Sequence, residues 1–310
     1  MEIALPQGGE KRLAPIGTLF KDTFALYRNR FLTFMAVIAP PIMLGAGGLF
    51  VQGNRLATVI TIIVTTAVNL LAYIALIVAV RGGDAATSYR ESTRIFFPYL
   101  WVAILVNLIT VGGMVMALIP AIVFSIWFIF GQFIFFDSSA RGMEVLLRSK
   151  EYVRGLWWPV FLRFVLLGIL IALVMIVIAF GFELGAQTEA PGSAASPAEV
   201  IVISILQFFF ISFIITYLWV IYQNLKAIKP ELAGAPVNER GKGFFIFSAV
   251  LGVVAPLLLL TALVIGFVSF VAKNPCLLYD IKNEPCPASL QEPLSLGDEL
   301  LPQTDALEVF

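Results

Sequence analysis

The residues best placed to do chemistry are four amides, Asn69, Asn107, Gln132 and Gln207, each set in an otherwise apolar run. An amide in such surroundings either hydrogen-bonds to a neighbouring helix or converges with others on a polar cavity near mid-membrane. Spacing along one chain does not decide between the two. The other reactive pair is Cys276 and Cys286, in Asn274-Pro275-Cys276 and Glu284-Pro285-Cys286-Pro287. In an oxidising compartment they form a local disulfide; free or lipidated thiols are the alternative. Closing that loop would stabilise the local fold by about 3 kcal/mol in the chain-entropy picture.

Conventional catalytic groups are missing. The chain has 0 histidines, which removes Ser-His-Asp triads and imidazole metal sites. No Asp or Glu falls inside the apolar runs, so an intramembrane aspartyl dyad and a relay of buried carboxylates have no residues to build on. Arg163 lies just inside one run, where it either snorkels to the interface or lines an anion pathway. Gly241-Lys242-Gly243 lacks the glycine spacing and the Ser or Thr of a phosphate loop. No enzyme activity, cofactor or metal is expected, and no basic, aromatic-bearing face points to nucleic acid.

The elements that must position the amides are membrane helices. The composition is 60% hydrophobic and 13% charged, with a mean hydropathy of +0.95, so a bilayer must act as solvent. Seven runs are long enough, or nearly so, to cross hydrocarbon: Phe31 to Phe50, Ala57 to Val80, Tyr99 to Leu118, Ile119 to Phe136, Phe161 to Phe180, Val200 to Ile221 and Phe244 to Phe270. Threaded with the N-terminus inside, they leave only Arg55, Lys273 and Lys282 of the 20 Lys and Arg residues outside, while the carboxylates divide evenly. The bias therefore lies in the basic residues alone, as the positive-inside rule requires. It favours anionic lipid head groups at the inner face. The first run is too long for the apolar core of a signal peptide and is expected to remain in the protein.

The stretch from Tyr99 to Phe136 contains no charge. As one helix it would run about 57 Å, nearly twice a hydrocarbon core of about 30 Å. Two spans with an outer turn near Gly112, Gly113 and Pro120 are expected instead. Pro40-Pro41 and Pro256 interrupt other spans, which suits either adjusted packing or the broken helix of a transporter.

Three amphipathic stretches precede spans on the inner side, and three interfacial helices are expected from them. The first spaces Ile16, Leu19, Phe20, Phe24, Tyr27 and Phe31 on one face; the second follows Asp84, a candidate N-cap. The third alternates Arg141, Glu144, Arg148 and Glu151 along a polar face suited to helical ion pairs. Each stretch closes on basic residues followed by aromatics. Arg28, Arg30, Arg94, Arg154, Trp157 and Trp158 are the expected lipid anchors, because basic chains snorkel to phosphate and indoles settle at head-group depth. The chain thus reads as three units of interfacial helix plus hairpin, or as three coincidentally similar loops.

The run from Pro15 to Pro41, with Ile16-Gly17, Phe24 and Leu26-Tyr27-Arg28, resembles the start of a bacterial membrane-domain family. This is the six-helix domain fused to some glycerophosphodiester phosphodiesterases and also found alone in small inner-membrane proteins. Phe136-Asp137, Arg141-Gly142, Leu147-Arg148-Ser149, Val153-Arg154-Gly155 and Trp157-Trp158 resemble its central segment, and Ile221 to Lys226 its last helix. The resemblance implies a six-helix bundle in a bacterial cytoplasmic membrane, with no established activity. This chain adds a seventh span and a tail and lacks the phosphodiesterase domain.

The expected organisation is an inner segment 1–14, a six-helix membrane domain 15–229, an inner linker 230–243, a seventh span 244–272 and an outer tail 273–310. The tail's acidic, proline-interrupted sequence predicts disorder, with leucines that could dock a partner protein. The expected fold is an all-α, polytopic membrane helix bundle. The expected function is a non-enzymatic membrane protein that organises lipids or partner proteins; a transporter or lipid-translocating protein with a polar cavity is the alternative.

Overall fold

A computed structural model describes residues 12–48, 55–186, 197–233, 239 and 241–274, and every regular element among them is helical. In order these are α1 (Ile16–Gly48), α2 (Arg55–Arg81), α3 (Ala85–Met116), α4 (Leu118–Phe128), α5 (Gly131–Asp137), α6 (Met143–Val153), α7 (Trp157–Ala186), α8 (Pro197–Ile228), a 3-10 turn (Pro230–Ala233) and α9 (Lys242–Lys273). Seven helical segments are long and apolar enough to cross a membrane, α4 and α5 together making one of them. The protein is a multi-pass, all-α membrane protein. The chain forms two units, Met1–Gly252 and Val253–Phe310. In the second, α9 continues to Lys273 with its apolar side chains exposed.

The three amphipathic stretches are helical. The first two run without a break into the spans that follow, so α1 and α3 reach 33 and 32 residues. At about 1.5 Å per residue each exceeds the hydrocarbon core by some turns. Only α6 is a helix of its own. It buries Val145, Leu146, Leu147, Ser149, Tyr152 and Val153 against the ends of α4, α5 and α8. Its ion pairs form in part: Arg148 meets Glu144 at 3.2 Å, whereas Glu151 pairs with Arg154 at 3.4 Å. Asp84 takes the extended backbone of an N-cap, yet its side chain makes no cap hydrogen bond.

Core packing in the first unit joins α1 to α2 and α8, α2 to α3, and α3 to α4. The α2–α3 connection is a tight turn at Gly82, whose φ of 134° suits glycine. The uncharged stretch folds back on itself as expected, but the reversal falls at Ala117, in extended backbone, rather than at the glycines. Gly112 and Gly113 stay helical and serve close approach. A Cβ on Gly112 would strike the backbone of Ser248, one on Gly252 the backbone of Leu108, and one on Gly113 the Phe124 ring. Ser248 and Gly252 are four residues apart, the small-xxx-small spacing that lets membrane helices touch. The Ser248 hydroxyl donates to the Ile109 carbonyl at 2.9 Å across the crossing. Pro120 sits in the first turn of α4, where a missing N–H costs nothing.

Pro40 and Pro41 leave α1 continuous. Pro41 has no N–H to offer the carbonyl of Val37, and the Tyr89 hydroxyl of α3 donates to that oxygen instead, at 2.7 Å. Tyr89→Phe should lower stability by about 1 kcal/mol, because the Val37 carbonyl is left without its donor; thermal unfolding in detergent measures it. At the α3–α9 crossing, Gly112→Ala should cost about 1–3 kcal/mol through overpacking. Gly168→Ala, where nothing lies within 4 Å, should instead leave the melting temperature unchanged or slightly raised in the same assay.

Candidate functional site

The fourth span is broken. α4 ends at Phe128, a turn covers Ile129 and Phe130, and α5 resumes at Gly131. Ile129 and Phe130 keep right-handed helical torsions, so the interruption is a lapse in the hydrogen-bond ladder rather than an unwound segment, and such a lapse at membrane depth survives only where protein or a cavity surrounds it. Both occur here. The Ser149 hydroxyl of α6 donates to the Trp127 carbonyl beside the break at 2.6 Å. On the other side Ile129 and Gln132 line a cavity of about 470 Å³.

That first cavity lies among α2, α3, α4, α5 and α8, with Tyr73, Tyr99, Asn107, Thr110, Ser125 and Gln132 as its polar groups. A second cavity of about 430 Å³ lies among α1, α2 and α8, lined by Thr65, Asn69, Tyr73 and Gln207 within apolar walls. The four amides are therefore brought together two by two. Tyr73 lines both cavities and forms part of the wall between them. Its hydroxyl donates to Gln132 Oε1 at 2.6 Å, and a side-chain hydrogen bond joins Tyr99 to Tyr73.

Among the described residues, Gln132 alone of the four amides bonds across helices. Asn107 donates from Nδ2 to the Ala103 carbonyl of its own helix at 2.8 Å. Asn69 and Gln207 make no side-chain hydrogen bond among the described residues. Sequence reasoning missed Tyr73, Tyr99 and the helix break. An aromatic with a hydroxyl in an apolar run was the available signal for the tyrosines; Gly131 was a weak one for the break.

At one end of the bundle the basic residues act largely as helix caps. Arg30 reaches the Ala79 and Gly83 carbonyls at the end of α2, at 3.3 and 3.4 Å. Arg81 and Arg141 reach the last turn of α5 through Phe136 and Phe135. Lys229 donates to the Glu151 and Arg154 carbonyls ending α6, both at 2.6 Å. Burial lowers the pKa of Lys229, while Glu151 and Glu231 oppose that shift. Cations here meet the unpaired carbonyls and negative dipole ends of helices. Asp137 closes the cluster, accepting from Lys226 at 2.6 Å and from the Tyr222 hydroxyl at 3.0 Å.

The expected lipid anchors divide. Arg28 and Arg94 are exposed with no hydrogen bond or ion pair among the described residues. Arg30 is committed to its cap and Arg154 to Glu151. Trp157 stacks on Phe161 at 5.0 Å, while Trp158 is 64% exposed. Arg163 gives its guanidinium to the Pro159, Leu13 and Ala14 carbonyls, strapping the segment before α1 to α7. Cys276 and Cys286 lie outside the described residues.

No group of three or more His, Cys, Asp or Glu residues that could hold a metal occurs among the described residues. Comparison with protein-family models, with curated proteins and with solved structures found no match. The arrangement can bind an amphiphile: apolar walls take up chains, and a few amides and hydroxyls orient a polar head. Tyr73→Phe removes the donor to Gln132 and should reduce stability by about 1 kcal/mol. Thermal unfolding in detergent checks this, and an unchanged melting temperature would show that the bond contributes little.

Proposed function

We propose that this is a non-enzymatic protein of a bacterial cytoplasmic membrane, N-terminus inside and C-terminus outside, that binds membrane lipid in the paired cavities and translocates it. The observation that carries the reading is the break between α4 and α5, which opens onto a cavity also holding Asn107 and Gln132. Discontinuous helices beside a polar cavity are how membrane transporters expose backbone and amides to a substrate. The orientation rests on the basic asymmetry of the loops. The resemblance to the six-helix membrane-domain family agrees with a bacterial membrane setting and brings no activity with it.

A second reading, organisation of a partner protein, is favoured by α7. Its side chains from Leu162 to Phe180 are largely exposed, leaving a long apolar face for lipid or for another helix. The acidic tail would add a contact outside the membrane.

Native mass spectrometry of protein purified in mild detergent separates the readings. A stoichiometric lipid adduct that falls at least several-fold in Asn107→Leu and Asn69→Leu is the expected result. Bare protein in every preparation, with a second polypeptide retained at fixed stoichiometry, would replace lipid handling by the organising role.

A further inference from the structure

Among the described residues, neither cavity is lined by a charged side chain. Asp137, five residues past Gln132 on α5, is held by Lys226 and Tyr222. An ionised head group entering either cavity would lose its hydration and find no counter-charge, which low-dielectric surroundings strongly disfavour.

The hydrogen-bonding capacity left over is neutral and two-sided. Gln132 spends Oε1 on Tyr73, so its Nε2 remains a donor toward the first cavity. Asn107 spends one N–H on Ala103, so its Oδ1 remains an acceptor. In the second cavity Asn69 and Gln207 make no side-chain hydrogen bond among the described residues, so each has both kinds of group to offer. A donor and an acceptor without charge match a hydroxyl, an ester or an amide. A cavity of about 470 Å³ is suited to such a head and the start of a chain, with the remaining chain lying along the apolar exterior.

We infer that the cavities select an uncharged membrane amphiphile, with a hydroxyl or carbonyl head on an acyl or alkyl chain, and reject ionised phospholipid heads. This rests on the lipid-handling reading above and narrows its substrate class. The same chemistry assigns Gln132 and Asn107 as the head-group contacts and the Tyr73 hydrogen bond as the element that orients Gln132.

Photolabelling tests it. The full chain in detergent micelles is exposed to a diazirine-bearing diacylglycerol or a phosphatidylglycerol with the same acyl chains, and crosslinked peptides are mapped. Labelling of α2, α3 and α5 peptides by diacylglycerol at least several-fold above phosphatidylglycerol is expected. It should fall about tenfold in Gln132→Leu, the equivalent of one lost hydrogen bond in a desolvated site. Asn107→Leu, and competition on the unaltered protein by unlabelled diacylglycerol, give the same readout should Gln132→Leu fail to fold. Equal or stronger labelling of those peptides by phosphatidylglycerol would overturn the uncharged class and leave lipid handling standing. Labelling confined to α7 and other exterior peptides, with either probe, would overturn both.

Discussion

Everything in this fold depends on one constraint: inside hydrocarbon no water is present to satisfy a peptide group, so each N–H and C=O must find a partner within the protein. Helices meet it along their length. The informative places are those where the helix cannot. At Pro41 the orphaned Val37 carbonyl takes a hydroxyl from Tyr89. At the break before α5 the Trp127 carbonyl takes one from Ser149. Both rescues come from another helix, which ties the interruption in one span to the placement of its neighbour.

The same constraint explains the basic end of the bundle. Helix C-termini leave carbonyls unpaired and carry the negative end of the dipole. Arg30, Arg81, Arg141 and Lys229 are spent on those carbonyls. A basic residue there performs two tasks, since the charge that biases topology also closes a helix end. Arg28 and Arg94 are exposed and close no helix end among the described residues.

Where helices cross most closely, volume decides. Gly112, Ser248 and Gly252 bring α3 and the first part of α9 together so tightly that no Cβ fits at either glycine. By contrast the helices that carry Tyr73, Asn107 and Gln132 leave a cavity between them. Polar groups in that space are tolerated because hydroxyl and amide complement each other, as Tyr73 and Gln132 do.

The sequence by itself determined the spans, the hairpin within the uncharged stretch and the helical character of the amphipathic stretches. It also marked the four amides as candidates for cross-helix bonds or a polar cavity. These follow from transfer free energies that add up locally along the chain. The tertiary structure alone decided that Asn107 shares a cavity with Gln132 and Asn69 with Gln207, that Tyr73 stands between them, and that the turn falls at Ala117. It also decided that Gly112 and Gly113 are contacts rather than a loop. Those facts depend on how each helix is rotated about its axis and how deeply it sits against its neighbours. Both are set by packing between residues distant in sequence, and an apolar run read one residue at a time carries no record of which face will be covered.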